Sequence, residues 1–252
     1  MKNKGQIAIF VIIAIMLVAG LALFFFARGN QGIISVGGIE FNPARYMDQC
    51  IQDAVVEVSD AMIEQGGVYE PQDYKLYEGV KATYLCKNIN YYQPCINQQP
   101  QYVSFVEKQI RDEIKDDISL CLDSLREELE NRNYEVSYSA FNVSIEIKQG
   151  SVSVSLPLEL VLRKGDVSQR FDTLSSVTRT PIYDLALVAH EIVSQEAKYC
   201  YFEYVGFNLL YSDFITSVNK LSDDTKVYSV EHVPTKKIMR FAVRGCAFPA
   251  GL

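Results

Sequence analysis

The chain has no tryptophan and only two histidines among its 252 residues, and its six cysteines include no Cys-x-x-Cys pair. Those residues are too few and too scattered to build a zinc site, so no metal and no cofactor are expected. No Gly-x-Ser-x-Gly, P-loop or dinucleotide glycine pattern occurs. His190-Glu191-Ile192-Val193-Ser194 opens like a zinc-protease helix, but Ser194 stands where the second histidine is required. His190 flanks an apolar helix face and reads as structural, and His232 reads as an exposed strand residue. Asp116-Asp117 and Asp223-Asp224 are sequence neighbours. Neighbours point apart on a helix or a strand, so neither pair forms an acid-base dyad by itself. The expectation is that the chain is not an enzyme.

Positive charge is also scarce. Lys2 and Lys4 are the only charged residues among the first 27, so 22 Lys and Arg face 31 Asp and Glu in the remainder, a net charge of −9. Nucleic-acid binding needs clustered basic residues and is excluded as an expectation. Nor is there a basic patch for anionic lipid headgroups.

One long apolar run is present, and there is only one. Ile7 to Ala27 is 21 residues without a charge. As a helix it extends about 31 Å, the thickness of a bilayer's hydrocarbon core. A cleaved secretory signal has a shorter core ending at small residues, whereas this run ends in Phe24-Phe25-Phe26-Ala27. Residues 1–27 are therefore read as a retained transmembrane anchor, with the membrane as partner through residues 7–27. Lys2 and Lys4 precede the span and Arg28 follows it. The positive-inside bias puts the N-terminus in the cytoplasm and residues 28–252 outside the cell membrane.

Lys4-Gly5-Gln6-Ile7 has a second reading. A basic residue, a glycine, a glutamine and an apolar helix resemble the processing site of archaeal prepilins, the type IV pilin-like class III signal. That resemblance covers about 22 residues. It implies cleavage after Gly5, with Gln6 as the new terminus and the helix packed in a filament. Phe10 stands where pilin helices usually carry glutamate. The layout also resembles N-terminally anchored surface proteins of archaea. A plain anchor and a pilin-like signal both stay open.

All six cysteines lie beyond the span, and an even number outside the membrane reads as disulfides. Cys86 and Cys95 sit close in an irregular stretch. Cys50 and Cys121 lie on the apolar stripes of two helices, and Cys200 and Cys246 sit at element ends. The expected pairs are Cys86–Cys95, Cys50–Cys121 and, by elimination, Cys200–Cys246.

Residues 28–41 hold four Gly and Ser35 and read as a short linker. Residues 42–252 read as one extracytoplasmic α+β domain. Asn42-Pro43 starts a helix whose apolar face runs from Met47 to Met62, and Gly66-Gly67 ends it. Residues 68–100 read as an irregular Tyr-rich insertion, with room for a strand near Ala82–Leu85. A second helix covers about 101–131 on the stripe Val103, Val106, Ile110, Ile114, Ile118, Cys121, Leu122, Leu125 and Leu129. From 133 to 178 apolar residues alternate, as in Val152, Val154, Leu156, Leu158, Leu160 and Leu162. That period predicts an antiparallel β-meander with one face covered by the amphipathic helices. A third helix spans about 181–198, a weaker one 209–221, and a hairpin of 226–233 with 238–244 closes the chain.

The leading functional expectation is a membrane-anchored cell-surface domain with a structural or protein-contact role, as a pilin-like filament subunit or with other protein partners. The alternative is a surface binding module, an adhesin or sensor, that recognises a glycan or protein through Tyr69, Tyr74, Tyr77, Tyr91 and Tyr92. Tyrosine gives large amphipathic contact area at low entropic cost. An anchored hydrolase ranks third, for lack of a nucleophile and base. Asn142-Val143-Ser144 is a glycosylation sequon beyond the span.

Overall fold

Helix α1 (Pro43–Glu64) begins at a proline, whose fixed φ suits the first helical turn. The structure, a computed structural model, describes residues 41–246 and the single residue Leu17. Gly5, Gln6, the rest of the 7–27 run and all of the linker but Phe41 lie outside the described residues. Among the described residues, no helix is long and apolar enough to cross a membrane. By its contacts the chain divides into residues 1–42 and residues 43–252, and everything below concerns the second unit.

Met47, Ile51, Val55, Val58 and Met62 bury one face of α1. The helix ends where Gly66 and Gly67 take φ of +74° and +76°. The Gly67 N–H closes on the Met62 carbonyl at 2.7 Å. A Cβ at Gly67 would lie 2.2 Å from the Tyr102 hydroxyl, so glycine is needed there for space as well as for φ. Helix α2 (Tyr102–Asn131) buries the expected stripe except Val103, which is half-buried, and packs on α1. Cys50–Cys121 joins the two helices, with Cα atoms 6.2 Å apart.

The strands make two sheets, where the periodicity predicts one meander and a closing hairpin. The first sheet holds β4 (Glu135–Tyr138), β5 (Ser144–Lys148), β6 (Ser151–Lys164) and β7 (Val167–Arg179). It is antiparallel, as expected, but it is not a simple meander. β4 and β5 share one edge of β6, and β7 pairs along the other. The even-numbered side chains from Val152 to Leu162 are buried toward the helices.

The second sheet corrects two sequence expectations. Its order is β1-β2-β10-β9-β8, with β3 also on β2. β1 (Tyr74–Tyr77), β2 (Val80–Lys87) and β3 (Ile96–Asn97) all come from the stretch read as an irregular insertion. β2 runs parallel to β10 (Lys237–Arg244), so the sheet is mixed. Ala82 to Cys86 are all buried. β2 contains the strand expected near Ala82–Leu85, and because it is buried on both faces it shows no alternation that would extend it or reveal its partners. The helix expected over 209–221 is instead the end of α4 (Tyr204–Leu210), a turn, and β8 (Phe214–Lys220), which pairs with β9 (Lys226–His232). α1 touches β7 of one sheet and β10 of the other. Helix α3 (Ile182–Tyr199) lies on the second sheet and packs against α2.

Candidate functional site

The site grows from the end of α3. Ile182, Leu185, Ala186, Ala189, Ile192 and Val193 bury its inner face. Cys200 ends it in the left-handed conformation and is bonded to Cys246. Disulfide Cys86–Cys95 staples the β2–β3 loop. The three pairs are those expected from the placement of the cysteines.

Behind the site lies a buried polar knot. Glu196 on α3 is fully buried and accepts two bonds from the Lys226 ammonium, at 2.7 and 2.9 Å. Lys226 also donates to the Cys200 carbonyl at 2.6 Å, and the Tyr228 hydroxyl donates to Glu196. Burial, then the Glu196 carboxylate beside it, pushes the Tyr228 phenol above its ordinary range. These groups tie the end of α3 to β9.

In front, the chain turns through Phe202 into α4. The Phe202 ring sits 5.4 Å from Phe207 and 6.3 Å from Tyr228, so it pins the turn to the core. Glu203 caps α4 by accepting from the Gly206 N–H. The Tyr201 hydroxyl bonds the same carboxylate, and that bond, helped by the Gly206 N–H, holds Glu203 below the usual carboxylate range. Asn208 fastens the other side. Its amide accepts from the Thr216 N–H at 2.8 Å and donates to the Thr216 carbonyl at 2.9 Å.

Between α3 and α4 lies a groove of about 580 Å³. Asp184, Leu187, Val188, Glu191 and Gln195 form its α3 wall, one stripe at helical spacing. Gly206, Phe207, Leu210 and Tyr211 form the α4 wall, with Phe202 and Phe214 at the base. No residue of α4 is buried, and Leu209 and Leu210 are 82 % and 80 % exposed. Val205, Tyr211 and Ile215 are exposed beside them. Solvated apolar residues of this size, grouped together, mark a contact surface. The lining carries no Ser, Thr, Cys, Lys or His, so the groove lacks a nucleophile with a nitrogen base. Among the described residues, no group of three or more His, Cys, Asp or Glu is placed to hold a metal ion.

The tyrosines proposed for contact are not part of this groove. Tyr74 and Tyr77 lie on β1, where Tyr77 packs on Ala82, Tyr84, Val227 and Ala242. Tyr91 and Tyr92 are exposed on the β2–β3 loop, and Tyr69 is half-buried after α1. Asn142 is exposed between β4 and β5. His190 is partly buried with Nδ1 unpartnered, and His232 bonds Thr235 at 2.8 Å. Sequence reasoning passed over the groove. The available signal was Tyr204–Tyr211, uncharged, with Asn208 its one amide side chain among bulky apolar and aromatic residues. A scan against protein-family models, a search of curated proteins and a search of solved structures each found no match.

Proposed function

We propose that this chain is a membrane-anchored cell-surface domain whose role is protein contact, made through the groove between α3 and α4. The observation that carries this reading is the exposed apolar surface of α4 beside a concave apolar floor. Three disulfides and the 7–27 run support an extracytoplasmic domain held to a membrane. In this reading the N-terminus is cytoplasmic and the domain is outside. A photoreactive side chain in place of Leu210, which lines the groove, is expected to form an adduct with a protein in native membranes. Adducts with lipid alone refute the contact reading. Protease added to intact cells is expected to remove the domain, and its protection refutes the location.

The pilin-like reading of Lys4-Gly5-Gln6-Ile7 is a separate proposal resting on sequence alone. A native chain beginning at Gln6 supports it, and one retaining Lys2 to Gly5 removes it.

A further inference from the structure

Three occupants compete for the groove: a membrane surface, a second copy of the chain, and another protein. The charges around it separate them. Asp184, Glu191 and Glu203 line the groove, and no lysine or arginine does. Among the described residues, none of the three carboxylates is ion-paired. Asp184 accepts from the Gly150 N–H and Glu191 from the Gln195 amide, which leaves both charges uncompensated. The Tyr201 hydroxyl and the Gly206 N–H bond Glu203, which favours its charged form without cancelling it.

A lipid surface fits this poorly. Helices that lie on membranes flank their apolar face with Lys and Arg, and residues 199–219 contain neither. A symmetric second copy fits no better, because a two-fold interface sets each acidic rim against itself.

We propose that the groove docks a helical segment of another protein that presents an apolar stripe flanked by Lys or Arg. This rests on the contact reading above and names its partner's chemistry. From Asp184 to Gln195 the α3 wall is about 16 Å long, three helical turns. That length matches apolar anchors at i, i+4 and i+7 of a guest helix, the usual helix-in-groove spacing. Basic residues beside the stripe meet Asp184 and Glu191 on one wall and Glu203 on the other. The match sets orientation and speeds encounter.

The test uses the full chain in phosphatidylcholine nanodiscs and two fluorescent peptides of about 18 residues. Both carry one leucine stripe. One has lysines on its flanks and the other glutamates. The lysine peptide is expected to bind at least about tenfold more tightly. Leu210→Asp is expected to weaken it by about tenfold or more with circular dichroism unchanged. Glu191→Lys with Gln195→Lys neutralises the groove's net charge and is expected to abolish the preference, which separates the groove from the overall negative charge. Equal binding of the peptides, indifference to Leu210→Asp, or a preference that survives that double variant overturns the basic-partner proposal. Each of those results leaves the broader reading standing if a photoreactive side chain at position 210 still forms protein adducts in native membranes. Adducts with lipid alone overturn both.

Discussion

Glu196 has no exposed surface, and the Lys226 ammonium reaches both of its carboxylate oxygens from the neighbouring strand. Two charges removed from water gain little by pairing, but one left alone is costly. Lys226→Met strands the Glu196 charge and is expected to cost about 3–5 kcal/mol. The double variant Glu196→Leu, Lys226→Met removes both charges and is expected to be more stable than the single one. Urea unfolding of the three proteins measures this. A double variant no more stable than Lys226→Met would show that the pair is not the unit.

The disulfides should differ in what they contribute. Cys50–Cys121 spans 71 residues and Cys86–Cys95 spans 9. In the chain-entropy model the longer loop stabilises by about 4 kcal/mol and the shorter by about 3 kcal/mol. Replacing each pair by alanine should lower the unfolding midpoint in that order. Cys50–Cys121 also holds α1 on α2, so its loss should expose both helices to proteolysis. A larger loss from the Cys86–Cys95 variant would contradict the ranking.

Alkali should unfold the domain through two buried phenols. Burial raises Tyr102 above its ordinary range, and burial, then Glu196, raises Tyr228. An unfolded tyrosine ionises near about pH 10. Below that pH the stabilising contribution is complete. Above it the unfolded chain releases protons that the folded chain keeps, so stability falls as pH rises. The slope is at most about 1.4 kcal/mol per pH unit for each phenol. Tyr102 donates to the buried Gly66 carbonyl at 2.6 Å. Tyr102→Phe should therefore cost about 1–3 kcal/mol at neutral pH yet show a shallower alkaline slope. Urea midpoints between about pH 8 and about pH 11 test it, and equal slopes reject it.

One-sided elements were legible in the sequence, and two-sided or composite ones only in part. Ile110, Ile114 and Ile118 repeat on one face of α2, and Val152 to Leu162 alternate in β6, because each element has a wet side and a dry side. β2 has no wet side along Ala82–Cys86, so a strand near Ala82–Leu85 was legible but its ends and its partners β1, β3 and β10 were not. The 209–221 stretch mixes Leu209 and Leu210 of a helix with Phe214, Thr216 and Val218 of a strand, and a single period describes neither. The groove needs α3 and α4 held at a fixed spacing, which depends on Phe202 reaching Tyr228 across the sheet. Nothing local encodes that contact. Aromatic density drew attention to 68–100, where the rings support strands or stand apart.

Asn208 is where the fold and the contact face meet. Among the described residues β8 pairs with β9 alone, so its other edge has no strand partner and presents backbone groups of the kind that capture a foreign strand. The Asn208 amide occupies both groups of Thr216 and so covers that edge with α4. Asn208→Ala removes both bonds and is expected to cost about 1–3 kcal/mol. Because α4 buries no side chain of its own, the loss should be local, with faster proteolysis between 203 and 213 and little change at β9. Asn208→Asp keeps the acceptor for the Thr216 N–H but sets a carboxylate oxygen against the Thr216 carbonyl. It should therefore rescue nothing, whereas an isosteric residue would if shape alone mattered. Limited proteolysis with hydrogen exchange of the three proteins decides this. Native-like protection of 203–213 in Asn208→Asp would mean that packing of Phe207 on Phe202 and Tyr211, at 5.4 and 4.6 Å, holds α4 without the amide.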